Sequence, residues 1–165
     1  MNSRPFINSI RFLLVAYLTL VIKLVVLRGP LMTILAGIRH EGLRLAKGFH
    51  TANFIPFKTL YYYLSLQENM ETGIQNIGGN ILLFIPLGIL LPLAWKNFAS
   101  PIKLLGAAFA LSLLLETTQL LFALGNFDVD DLLLNMLGAL MGFLLFSRVS
   151  TLFPEEKTLL QVKDH

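Results

Sequence analysis

Oxygen-bearing side chains break an otherwise apolar stretch between residues 111 and 142, and they recur at helical spacing. Glu116 and Gln119 interrupt the run from Ile102 to Leu124, Asp128, Asp130 and Asp131 follow in a short turn, and Asn135 stands one helical turn into the next apolar run. Carboxylates and amide carbonyls are the hard oxygen ligands that Mg²⁺ or Ca²⁺ takes. A carboxyl group beside a lipid-linked substrate is equally a general acid–base candidate. A carboxylate in hydrocarbon costs about 2.5 kcal/mol or more unless it is paired, protonated or wetted. A neutral Gln would serve helix packing as well, so Glu116 reads as functional. EF-hand spacing and other recognised metal motifs are missing, so metal and cofactor stay unassigned. No nucleophilic triad is expected, because the chain has no cysteine and His40, His50 and His165 stand in a long loop or at the terminus.

These residues have to be positioned by membrane-spanning helices. The 165 residues are 55% hydrophobic and 14% charged, against roughly 25% charged in soluble domains, and several apolar runs are long enough to cross a bilayer. The formal charge of +3 is carried by scattered Lys and Arg; without an aromatic-interleaved basic patch it does not point to nucleic acid. The expected architecture is all-α: a polytopic membrane bundle of about four transmembrane helices, with a long amphipathic extracytoplasmic loop after the first. Residues 1–27 make a cytoplasmic N-terminus and first span, 28–77 an amphipathic interfacial segment, 78–146 a three-helix core, and 147–165 a cytoplasmic tail.

The first span, about Ile10 to Leu27, ends in Leu27-Arg28-Gly29-Pro30 with no small-residue cleavage pattern, so it reads as an uncleaved anchor. The second, about Gly78 to Trp95, holds Pro86 and Pro92, which membrane helices tolerate, usually with a kink. The third is Ile102 to about Leu124. The fourth, Leu132 to about Phe146, becomes long enough when its first turn includes the acids, which the positive end of the helix dipole favours. Between the first two spans, Leu31, Ile34, Leu35 and Ile38 with Arg39, Arg44 and Lys47 suggest a surface-lying amphipathic helix. Asn53-Phe54-Ile55-Pro56-Phe57 reads as a turn with apolar anchors, and Tyr61, Tyr62 and Tyr63 suit the headgroup belt. Arg4, Arg11, Lys96, Lys103, Arg148, Lys157 and Lys163 would share one side, the acidic turn the other, which places both termini in the cytoplasm.

Residues three and four apart share a helix face. Glu116 with Gln119 mark one face; Asp128, Asp131 and Asn135 mark another, continued by Gly138 and Gly142 as a small-xxx-small pair that permits close helix contact. Asp130 points away from that face. Asn76, Asn80, Phe84 and Gly88 repeat every four residues on the second span. The economical packing turns these faces toward one another. The candidate polar cavity is therefore Asn76, Asn80, Glu116, Gln119, Asp128, Asp131 and Asn135, with Asn53, Pro56 and Phe57 as the loop motif.

At these blocks the chain resembles the VanZ-like family of bacterial membrane proteins. The blocks are Asn53-Phe54-Ile55-Pro56-Phe57, Asn76-Ile77-Gly78-Gly79-Asn80, Phe84-Ile85-Pro86-Leu87-Gly88, Glu116-Thr117-Thr118-Gln119, Asp128-Val129-Asp130-Asp131 and Asn135-Met136-Leu137-Gly138 with Gly142. Each is weak alone, while their order and spacing over residues 50–146 are specific. The founding member of that family is associated with low-level resistance to the glycopeptide teicoplanin, so the resemblance implies a cell-envelope role. Many relatives carry an Arg just before the acidic turn, where this chain has Asn126. Three functions follow as alternatives. The favoured one is an outward-facing polar cavity that binds a headgroup, a lipid-linked cell-wall precursor or a glycopeptide. The others are an enzyme acting on a polyprenyl-phosphate or phospholipid through Glu116 and Asp131, and a non-catalytic structural or partner-binding membrane protein.

Overall fold

A computed structural model of the chain describes residues 3–26, 49–65, 70–122 and 124–152. The amphipathic stretch expected over residues 31–47 and the charged tail from 154 onward lie outside the described residues. The rest is an all-α bundle: α1 (Ser3–Val26), α2 (Lys58–Ser65), α3 (Met70–Ala94), α4 (Pro101–Phe122) and α5 (Val129–Leu152). Of these, α1, α3, α4 and α5 are each long and apolar enough to cross a membrane, making this a multi-pass membrane protein.

The spans interlock through a narrow apolar core. On α1 the buried residues Ile10, Leu14, Val21 and Val25 recur at spacings of four or seven, the stripe expected of a helix packed on one side only. It lies against α3, and the Tyr17 hydroxyl donates to the Leu83 carbonyl at 2.7 Å. Phe84 sits fully buried at the centre, with Leu87, Leu91, Leu104, Ala108, Leu115, Ala139 and Phe143 around it. Elsewhere large apolar side chains face outward, among them Phe12, Ile102, Leu114 and Leu144. Such a continuous exposed apolar surface belongs against lipid.

The tightest pairing is α3 with α5, and its cause is glycine. A Cβ on Gly138 would run into the Ile81 carbonyl, one on Gly142 into the Ile85 carbonyl, and one on Gly88 into the Ala139 carbonyl. The two backbones thus approach through a stripe without side chains, as small-xxx-small faces allow. Although Pro86 and Pro92 lie inside it, α3 is a single unbroken α-helix.

Successive spans run in alternating directions, which sorts the charge. The Arg11 guanidinium lies 5.5 Å from the centre of the Trp95 ring, so the start of α1 meets the end of α3. Lys96 opens the short 3-10 turn that joins α3 to α4, and Lys103 follows in the first turn of α4. The opposite end carries α2, the start of α3 and the Asp128–Asp131 turn.

Candidate functional site

Asp128 is the hub of that opposite end. Its Oδ1 accepts the Asp130 backbone N–H at 2.8 Å, the side-chain cap of a helix whose first residue is Val129. The same oxygen accepts Asn53 Nδ2 at 2.8 Å, while Oδ2 accepts the Thr59 hydroxyl. Its own backbone N–H donates to Glu116 Oε2 at 3.0 Å. One carboxylate therefore ties together the start of α5, the loop before α2 and, through the same residue's backbone, the buried acid of α4.

The loop is pinned by its backbone as well. The Asn53 N–H donates to the Phe127 carbonyl at 2.8 Å, and the Val129 N–H donates to the Asn53 carbonyl at 3.0 Å, forming a parallel bridge between Asn53 and Asp128. Asn53 Oδ1 accepts the Ile55 N–H, an Asx turn of the kind this residue favours. Its Nδ2 also reaches the Thr59 hydroxyl at 3.1 Å. Phe54 stacks on Phe127 with ring centres 5.1 Å apart. The Asn53–Phe57 block is thus a folded part of the site, with Asn53 buried and Pro56 and Phe57 on its exposed rim.

Asp130, fully buried, faces away from Asp131 and Asn135 and toward α2. Its carboxylate accepts the N–H groups of Phe57, Thr59 at 2.8 Å and Leu60 at 3.1 Å. These are orphan donors at the start of α2, of the kind every helix leaves at its first turn. Sequence periodicity assigns Asp130 no such role, because its partners lie about seventy residues away in the chain.

The other candidates form separate contacts. Asn80 Nδ2 donates to Asp131 Oδ1 at 2.6 Å and to Asn76 Oδ1 at 3.2 Å, joining α3 to α5 at the acidic turn. Deeper, Asn135 Nδ2 donates to the Ser112 hydroxyl at 2.8 Å between α5 and α4. Gln119 turns to α1 instead, with Nε2 donating to the Val25 carbonyl at 3.2 Å. The polar faces of α3, α4 and α5 therefore meet as a ladder of pairs, and Gln119 serves the end of α1. Ser112 and Thr59, which sequence reasoning passed over, are members. A hydroxyl in an apolar run was the available signal for Ser112; Thr59 carried none. Beside the network, a surface hollow of about 360 Å³ is lined by Lys58, Thr59, Tyr61, Tyr62, Tyr63 and Ser65.

Among the described residues, no group of three or more His, Cys, Asp or Glu side chains is arranged to hold a metal ion. The Asp128 and Asp130 carboxylates instead direct their acceptor oxygens at backbone N–H groups, an amide and a hydroxyl. Hydrogen bonds to an ionised acceptor of this kind are about twice as strong as neutral ones. Chemically the ladder orders two distant loops and presents a polar, aromatic-rimmed surface at one end of the spans.

Residues 13–153 match the family model described as VanZ/LLP1. Over 84 residues the chain is 34% identical to Protein VanZ of Enterococcus faecium, a stretch covering 50% of this chain and 52% of that protein. The chain thus spans about half the length of this curated relative. No solved structure matches it. With a family model covering most of its length, the chain belongs to the VanZ/LLP1 family.

Proposed function

We propose that this protein lowers the susceptibility of the bacterial envelope to glycopeptide antibiotics such as teicoplanin by binding a headgroup, a lipid-linked precursor or the glycopeptide itself at the Asp128 end of the bundle. Both termini then lie in the cytoplasm and that end faces outward. The arrangement of charge supports this orientation. Arg11, Lys96, Lys103 and Arg148 gather at one end and the acidic turn at the other, in keeping with the positive-inside rule.

The observation that carries the reading is the Asp128 hub. One residue joins Asn53, Thr59 and the start of α5, and Glu116 holds it from below. Membrane helices do not need so many acids in one place to pack, since amides and glycines suffice. Acids at membrane depth mark functional sites by default. The likeness to Protein VanZ directs the choice of ligand.

Expression in a susceptible Gram-positive host tests this directly. The teicoplanin concentration needed to stop growth is expected to rise several-fold, and Glu116→Ala is expected to remove the gain while the protein still reaches the membrane. An unchanged threshold for the wild-type protein, with membrane insertion verified, contradicts the proposal.

A further inference from the structure

Helix α2 is packed on one side and open on two. The packed side is the half-buried set Thr59, Leu60 and Tyr63: the Asp130 carboxylate accepts the Thr59 and Leu60 N–H groups, and Tyr63 lies against Gly73 of α3. Residues three and four apart share a face, so Phe57, Tyr61 and Leu64 line up on one open side and Lys58, Tyr62 and Ser65 on the other. The first side is apolar, with Tyr61 74% and Leu64 73% exposed. The second is polar and borders the surface hollow. A helix that is apolar on one open side and polar on the other is built to lie in the plane of a membrane surface.

The depth of α2 agrees. Trp95 beside Arg11 suits the headgroup belt at the basic end of the bundle. From Trp95 back to Gly73, where Tyr63 packs, is about 33 Å along α3 at about 1.5 Å per residue. The hydrocarbon core is about 30 Å thick, and the two headgroup layers bring the bilayer to about 40–45 Å. Helix α2 thus meets α3 within the opposite headgroup layer. Leu82 and Ile74 are both exposed, so the outward apolar surface of α3 runs up to the level of α2.

We propose that α2 is a membrane-docking element whose partner is phospholipid of the leaflet at the Asp128 end. The Tyr61–Leu64 side reaches past the headgroups to the acyl chains, and Lys58 lies among the lipid phosphates. A lysine at such a boundary keeps its stem along apolar surface and its charge at headgroup level. Asp130 fixes the helix against α5 at that depth. The lipid that surrounds the spans therefore continues beneath α2.

The chain has no cysteine, so single cysteines can carry a nitroxide. Tyr61→Cys, Leu64→Cys, Lys58→Cys and Ser65→Cys, all at exposed positions, are labelled in the full chain and reconstituted into vesicles of phosphatidylcholine and phosphatidylglycerol. Leu82→Cys on the exposed face of α3 marks hydrocarbon depth. Electron paramagnetic resonance power saturation then compares access by molecular oxygen, which concentrates in acyl chains, with access by a water-soluble nickel chelate. The oxygen-to-nickel ratio at Tyr61 and Leu64 should be several-fold above that at Lys58 and Ser65, and close to that at Leu82. Nickel access at Tyr61 and Leu64 equal to that at Lys58 and Ser65 puts α2 in water and overturns the proposal. Exclusion of both reagents does so as well, since it marks a protein partner on that face. Where a label disturbs folding, Tyr61→Trp with Trp95→Phe decides: brominated phosphatidylcholine should quench its fluorescence and aqueous iodide should not, and the reverse overturns the proposal. No antibiotic enters the measurement, so its failure leaves the resistance reading untouched.

Discussion

Phe57 donates its backbone N–H to Asp130 while holding a left-handed backbone conformation, φ 65°. That region is disfavoured for a bulky residue and belongs by preference to glycine. Here the strain has a visible cause. Turning the chain left-handed at Phe57 aims three N–H groups of one turn, those of Phe57, Thr59 and Leu60, at one buried carboxylate. The start of α2 is capped from another helix, and the loop is fixed relative to α5.

Replacing Asp130 with Ala should therefore free the loop before disturbing the spans. Three donors lose their acceptor at once, and caps and buried hydrogen bonds of this kind are worth about 2 kcal/mol. Asp130→Ala should lower the unfolding midpoint and open residues 53–65 to limited proteolysis, while Asp130→Asn should lie between it and wild type. Equal cleavage rates for Asp130→Ala and wild type would contradict the capping role.

Phe57→Gly should move stability the other way. The side chain is 65% exposed, so little packing is lost, and relief of the left-handed conformation is worth about 1 kcal/mol. Phe57→Val should destabilise, because a β-branched residue fits this region worst. A midpoint for Phe57→Gly clearly below that of wild type would show that the ring, and not the backbone, anchors the loop.

The spans were legible in the sequence because a bilayer demands about 20 apolar residues per helix, and four such runs stand out. Their ends were less so. Helix α3 begins at Met70, not near Gly78, because Glu71, Gln75 and Asn76 extend it beyond the apolar run, where hydropathy carries no signal. The glycine contacts followed from spacing, since Gly138 and Gly142 had to meet some backbone. The polar residues were legible as types but not as partners. Helix-face arithmetic grouped Gln119 with Glu116, yet the end of α1 passes close enough to take Gln119 as a donor to Val25. The same arithmetic set Asp130 aside, because a residue in the first turn of a helix is free to face the preceding chain. Pairs such as Asn53 with Asp128, 75 residues apart, leave no local pattern.

Tyr63 provides a titration readout of the same end. Its phenol is pushed above the ordinary 10.0, first by desolvation and then by the Asp131 and Asp128 carboxylates; part of its cover is the start of α3, where Gly73 lies against the ring. The raised pKa means the fold favours the neutral phenol. That contribution is complete below pH 10.0, and it is lost as the pH rises from there through the folded value. Tyrosine ring-carbon NMR should show Tyr63 titrating above its ordinary value. Asp131→Asn should move it down without returning it to 10.0, because desolvation persists. No movement in Asp131→Asn would separate Tyr63 from the acidic turn.

The glycine stripe offers the sharpest contrast between positions of one residue type. A Cβ at Gly138 or Gly142 meets backbone carbonyls of α3, which cannot swing aside as a side chain would, whereas a Cβ at Gly78, Gly79 or Gly106 would meet nothing within 4 Å. Gly142→Ala and Gly138→Ala must push α3 and α5 apart, and overpacking of this kind costs about 1–3 kcal/mol. Gly106→Ala adds a methyl in open space on α4 and should stabilise by about 0.5–1 kcal/mol through helix propensity alone. Steric trapping or thermal unfolding in a non-ionic detergent would rank the three. Because Asn80 and Asp131 join these two helices on the loop side of Gly138, separating the backbones should also break that bond. Gly138→Ala should thus resemble Asn80→Ala in proteolysis of the loop end, and the double variant should cost less than the sum of the two singles.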